Sequence, residues 1–309
     1  MLSEPTPWSS DRLELGEGAR WVAGRLVLVD LLAGRLLDTT GDAPAPLREV
    51  CKVDAPLGAV APIAGRPGSW LAVVGTGVAV LEGAGGSRLV ADLEGKNPAR
   101  ARMNDAVADP HGRFWAGSMA YDATPGAGTL YRLPVDGPPE AAVTGLTITN
   151  GPAFDATGTV MYLADTPLGQ VDRFTVDPAT GALSARKPFL RLSPGEGAPD
   201  GMTVDSAGHL WVALWGGHAV RRYRPDGRLD REIRLAAAQP TSVCLGGPDL
   251  RRLFVTTAAL GLAPRGPVDG ALLAVDVEVA GLPAASAAPP SGPPARGSGS
   301  LIRLGKQPP

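Results

Sequence analysis

One pattern returns along the whole chain: an aspartate, two residues, a glycine, then a run in which aromatic or β-branched residues alternate. It reads DPHGRFWAG at 109–117, DATGTVMYLAD at 155–165 and DSAGHLWVA at 205–213. Looser copies are WVAGRLVLVD at 21–30, GRPGSWLAVVG at 65–75 and GPDLRRLFVTTA at 247–258. Six copies at intervals of roughly fifty residues mean six structural units of one kind, because a fixed long period marks a repeat architecture.

What each unit contains follows from the segments between copies. VAVLEGAGGSRLV, GTLYRLPVDGPPEAAV, VDRFTVDPATGALSARKPFL and AVRRYRPDGRLDREIRL are short alternating runs broken by turn residues, the mark of antiparallel strands. No long window shows helical periodicity. Each unit thus supplies about four strands, the content of one propeller blade. The expected fold is all-β: a six-bladed β-propeller of four-stranded antiparallel blades around a central channel. A sandwich or a parallel β-helix fits the long period less well. Residues 1–282 form the single propeller domain, and residues 283–309, rich in Pro, Ala, Gly and Ser, are expected to be a disordered tail.

A second regularity lies inside the first. Asn104, Asn150 and Asp200 each precede the turn glycine, Gly112, Gly158 or Gly208, by eight residues, and Glu17 precedes Gly24 by seven. The same count puts Val60 and Ser242 at the corresponding point of the second and sixth units. The shared position should lie near the start of the innermost strand of each blade and face the channel. A single Asn or Asp beside glycine is explained well enough by turn formation. Four in register are not, since a turn role does not require one common height.

Glu17, Asn150 and Asp200 offer only oxygen ligands, which suit a hard divalent cation such as Ca²⁺, Mg²⁺ or Mn²⁺; Zn²⁺ is also compatible. A cation also offsets the cost of burying two carboxylates. Arg102 and Asn104, two apart on a strand, share a face, and their donors and acceptor suit a polyhydroxylated or carboxylate-bearing ligand. A salt bridge from Arg102 to Asp105 or Asp109 is the competing reading. Asp122, beyond the next strand, either caps the same mouth or is a solvated loop carboxylate.

Composition removes other classes. A net charge of −2 and the lack of any run of like charges leave no footprint for nucleic acid or an anionic membrane. Without a leader or a long apolar run, a cytoplasmic protein is expected. Cys51 and Cys244 form no recognisable motif and are read as two reduced thiols. The three histidines sit in or after turns, so neither a zinc helix nor a Ser-His-Asp triad is expected. Either a monomer or a small homo-oligomer is compatible with short blade edges.

Five segments in order, GEGARW, RMNDAVADPHGRFWAGSMA, TNGPAFDATGTVMYLADT, PDGMTVDSAGHLWVALWGG and PTSVCLGGPDLRRLFVTTA, resemble the gluconolactonase, regucalcin and senescence-marker-protein family over most of residues 14–282. The resemblance implies a six-bladed propeller with one divalent cation in its channel, hydrolysing a small-molecule sugar lactone. It implies metal ligands at Glu17, Asn150 and Asp200 and substrate contacts at Arg102 and Asn104. An acidic contact after the GSMA segment falls on Asp122, one position later than in the family. For catalysis, Asp200 is the candidate general base, or a ligand alone. A calcium-binding regulatory protein of the regucalcin type, an interaction scaffold, and an esterase or phosphotriesterase using the same cation are the alternatives.

Overall fold

In the computed structural model, residues 4–290 are described except 42, 84, 85, 98 and 99. Their strands form six four-stranded antiparallel sheets. The innermost strands are β2 (Gly16–Val22), β6 (Leu57–Pro62), β10 (Ala101–Ala108), β14 (Thr149–Phe154), β18 (Ala198–Val204) and β22 (Pro240–Gly246). In five blades the next three strands in sequence follow outward. The sixth departs: behind β22 come β23 (Arg252–Thr257) and β24 (Leu273–Asp276), and its outer edge is β1 (Thr6–Pro7) from the other end of the chain. Thr6 opposite Ala274 and Pro7 opposite Leu273 close the ring. The proline suits this place, since an edge strand tolerates a missing donor.

Apolar residues fill the spaces between blades. Six clusters lie at the blade boundaries, for example Val73 and Val80 of the second blade against Ala106 and Phe114 of the third. A blade therefore buries its two faces only because it has two neighbours.

The recurring aspartate has a concrete task. Asp109 Oδ1 accepts the backbone N–H groups of His111 and Arg113 at 2.9 and 3.1 Å, while Oδ2 accepts Arg113 Nε at 2.6 Å and Trp115 Nε1 at 3.0 Å. Asp205 repeats this with Ala207, His209, Trp211 and the Arg222 guanidinium, and Asp155 takes the N–H groups of Thr159 and Val160. The glycine follows because the turn needs left-handed backbone: φ is +86° at Gly112 and +77° at Gly208. One short sequence pattern thus fixes the hairpin between the two inner strands and ties it to the tryptophan of the second.

Residues 283–290, assigned to the tail by composition, are held against the propeller. Ala287 donates to the Pro62 carbonyl and accepts from Ala64, and Ala288 donates to Gly112. Prolines and alanines leave enough free N–H and C=O groups for an extended strap, so a low-complexity composition does not preclude pairing. The remaining stretch, 291–309, lies outside the described residues. Among the described residues no helix is long and apolar enough to cross a membrane. Both cysteines are free.

Candidate metal and substrate site

The innermost strands share an irregularity. Pairing with the neighbouring strand shifts between Glu17 and Arg20, Leu57 and Ala59, Met103 and Ala106, Asn150 and Ala153, Pro199 and Met202, and Pro240 and Ser242. A β-bulge bends the strand and re-aims a side chain, and bulges gather beside functional sites. Here all six lie at one height of the channel, the height of the polar residues.

Glu17, Arg102, Asn104, Asp105, Asn150 and Asp200 are all buried there. Asn104 is the hub: its Nδ2 donates to Asn150 Oδ1 at 2.7 Å and to the Thr149 carbonyl, and its Oδ1 accepts Arg102 Nη1 at 2.7 Å. Asn150 Nδ2 donates to Thr166 Oγ1 at 2.8 Å, which fixes the amide with its oxygen toward Asn104. Arg102 therefore meets neither Asp105 nor Asp109, the partners of the competing reading; Asp109 is committed to Arg113, and the ion partner of Asp105 is Arg20 at 3.8 Å.

Asp200 is different from every other aspartate named so far. Its Oδ1 is fully buried and has no donor among the described residues. An unpaired buried carboxylate oxygen is costly, and a group in that state is waiting for a proton or a cation. Burial first, and then the charges of Glu17 and Asp105, push its pKa well above the carboxylate range. Glu17 behaves alike: burial and the nearby Asp105 raise it to about 8, against a backbone N–H from Gly18. Three buried carboxylates face two guanidinium groups, those of Arg20 and Arg102. A divalent cation among Glu17, Asp200 and the Asn150 amide oxygen would offset the charges of the two carboxylates beside it and satisfy the orphaned oxygen, so the donor set fits a hard cation. Among the described residues no three His, Cys, Asp or Glu side chains cluster as a metal site.

One position lies elsewhere than the repeat count places it. Val60 packs in the apolar cluster between the first two blades. The ring height of the second blade falls instead at Gly58, where an added Cβ would lie 1.7 Å from the Asn104 carbonyl oxygen. This blade contributes space for Asn104, and the count goes astray because its turn has no D-x-x-G. Asp122 is exposed, and its carboxylate accepts the Thr124 N–H and hydroxyl at 3.0 and 2.7 Å. Ser242 is buried at the ring, its Oγ accepting the Ala19 N–H.

Sequence reasoning passed over Arg20, Asp105 and Thr166. Arg20 donates to the Ala19 and Ala106 carbonyls, and Asp105 accepts the Gly151 and Ala106 N–H groups, so this pair links three blades under the ring. The signal for Asp105 was present in the ND dipeptide, next to Asn104. Beyond this layer lies a cavity of about 380 Å³, lined by Val107, Pro152, Met202 and Cys244 among others and bordered by 282–286 of the strap. None of the three candidate ligands lines it.

A family model described as "SMP-30/Gluconolactonase/LRE-like region" matches residues 15–259. A pentonolactonase, XacC, of Haloferax volcanii is 37% identical over 87% of this chain and 93% of its own. Regucalcin of Sus scrofa is 33% identical over 72% of this chain and 79% of its own. Among solved structures, a calcium-binding protein, regucalcin, from Agrobacterium tumefaciens superposes with a TM-score of 0.85 at 26% identity, covering 92% of this chain and 97% of that one.

Proposed function

The chain belongs to the SMP-30/gluconolactonase/LRE-like family, and within it we propose a divalent-cation-dependent hydrolase that opens a sugar lactone to the aldonic acid. The observation that carries this reading is the buried Asp200 oxygen without a donor, set beside Glu17 and Asn150 and facing Arg102. The relative named as a pentonolactonase supports the reaction class.

Glu17, Asn150 and Asp200 would hold the cation, which supplies Lewis-acid polarisation of the ester carbonyl and a lower pKa for a coordinated water. Arg102 is buried, permanently charged and fork-shaped, so it can donate to the oxygen that becomes negative as water adds to the carbonyl carbon. Its grip on Asn104 and on the Met103 carbonyl keeps that fork in place before substrate arrives. Asp200 accepts the proton of the attacking water. When the ring C–O bond breaks, the leaving alkoxide takes that proton back, and the product ionises to release one proton to solvent. No covalent nucleophile is needed.

The test is hydrolysis of five- and six-membered aldonolactones by cation-stripped protein, with Ca²⁺, Mg²⁺, Mn²⁺ or Zn²⁺ returned singly and proton release followed. Cation-restored turnover of one sugar series supports the reading. Tight calcium binding with no turnover above the spontaneous rate supports instead a calcium-binding regulatory role, the reading that the regucalcin relatives favour.

A further inference from the structure

Only four large apolar side chains are strongly exposed among the described residues, and two of them, Tyr121 at 48% and Leu168 at 58%, lie in segments that border the polar site. Tyr121 directly follows β11 (Phe114–Ala120). Arg102 pairs with Met119 on that strand, Tyr121 N–H donates to the Arg100 carbonyl at 3.2 Å, and Met119 bridges to Ile148 of the fourth blade. Alternate residues share a face, so Arg102, Met119 and Tyr121 all look toward the blade that carries Asn150.

Leu168 lies on the fourth blade, in a turn that is joined to the site. It ends the short 3₁₀ turn Thr166–Leu168 that follows β15 (Val160–Asp165). Thr166 is bound on both sides to the site, accepting from Asn150 and donating to the Pro199 carbonyl beside Asp200 at 2.8 Å. Two exposed apolar groups thus belong to segments that border the polar site, on blades that each give it an asparagine.

We propose that Tyr121 and Leu168 form a rim that covers the C–H face of the bound lactone ring and selects five-carbon lactones over six-carbon ones. The proposal rests on the lactonase reading and adds a substrate class to it. A sugar ring presents C–H groups on one face, which suit an aromatic side chain, while its hydroxyls and carbonyl point to Arg102, Asn104 and the cation. A longer exocyclic polyol arm has to shed water against Leu168 and the Tyr121 ring without gaining a partner. A pentonolactone carries one hydroxyl fewer there.

The experiment compares pentono-1,4-lactone and hexono-1,4-lactone kinetics for the wild type, Tyr121→Ala, Tyr121→Phe and Leu168→Asn. Binding of the two corresponding lactams, which resist hydrolysis, is measured by calorimetry on the same cation-loaded proteins. We expect the wild type to prefer the pentonolactone by about tenfold. Tyr121→Ala should raise its KM about fivefold with kcat held within about twofold, and Tyr121→Phe should stay near the wild type. Leu168→Asn should narrow the preference by improving the hexonolactone.

Turnover whose preference and KM ignore all three variants overturns the rim and leaves the lactonase standing. Lactam binding that depends on Tyr121, without turnover of any lactone, overturns the hydrolytic reading and supports the rim. Neither turnover nor lactam binding overturns both.

Discussion

Two aspartates five residues apart on the fifth blade show how the channel divides its labour. Asp205 and Asp200 are both almost wholly buried, at 1% and 4% exposure. Asp205, in the turn, accepts two backbone N–H groups, a tryptophan N–H and a guanidinium. Asp200, at the ring, has an oxygen that nothing among the described residues satisfies. A saturated buried carboxylate is structural, and an unsaturated one is held in readiness for something that arrives from outside. In the third blade the turn aspartate, Asp109, is saturated in the same way as Asp205.

The sharpest way to break the contrast is to remove each carboxylate in turn. Asp200→Ala and Asn150→Ala should each lower cation-dependent lactone turnover by about a thousandfold or more. Cation-free Asp200→Ala should unfold at the same or a higher temperature than the wild type, because an unpaired buried carboxylate is gone. Steady-state assays and thermal melts check both. A melt that collapses in Asp200→Ala would place this residue with the structural aspartates.

Asp205→Ala should do the reverse. Arg222 keeps Asp230, but the Trp211 N–H and the turn N–H groups lose their acceptor, which should cost about 1–3 kcal/mol in denaturant unfolding. Turnover per folded molecule should stay within about twofold. Loss of turnover without loss of stability would mean that the two ends of the strand are coupled.

The pH dependence sharpens the contrast from the other side. Glu17 is raised from 4.5 to about 8, so below pH 4.5 it is protonated in both the folded and unfolded chain and has no effect on stability. Between these values the unfolded chain ionises while the folded one keeps its proton. The cation-free protein should therefore lose stability as pH rises from about 4.5 to about 8, and added cation should restore it. Melts across that range check this, with Glu17→Gln flattening the profile. A cation-free protein that gains stability toward pH 8 contradicts the assignment.

The smallest effect is expected at Asp122, whose carboxylate is occupied by Thr124. Asp122→Ala should change KM and kcat by less than about twofold. A tenfold rise in KM would bring this residue back into the substrate contacts.

Much of this was legible in the sequence because repetition multiplies a weak signal. A single NG dipeptide says turn; Asn150, Asp200 and Asn104 at one offset from a turn glycine say ring. What failed, failed where the offset lost its reference. The second blade turns without D-x-x-G, so counting reached Val60 although the chain places Gly58 against Asn104. The sixth blade's outer strand, Thr6–Pro7, is too short to show alternation and comes from the far end of the sequence. Arg20 and Thr166 act across blades, and a contact between residues 86 positions apart, such as Arg20 with Ala106, leaves no mark in either segment. Tyr121 was visible as a residue and not as a rim, since exposure is a property of the closed ring.

The most direct test of the central claim is a calorimetric titration of cation-stripped wild type and Asp200→Asn with Ca²⁺, Mg²⁺, Mn²⁺ and Zn²⁺ at pH 7, in two buffers of different ionisation enthalpy. The account predicts one equivalent bound by the wild type with net proton release, and binding weakened at least tenfold in Asp200→Asn. Equal binding by the two proteins, or no binding of any of these cations by the wild type, would contradict it.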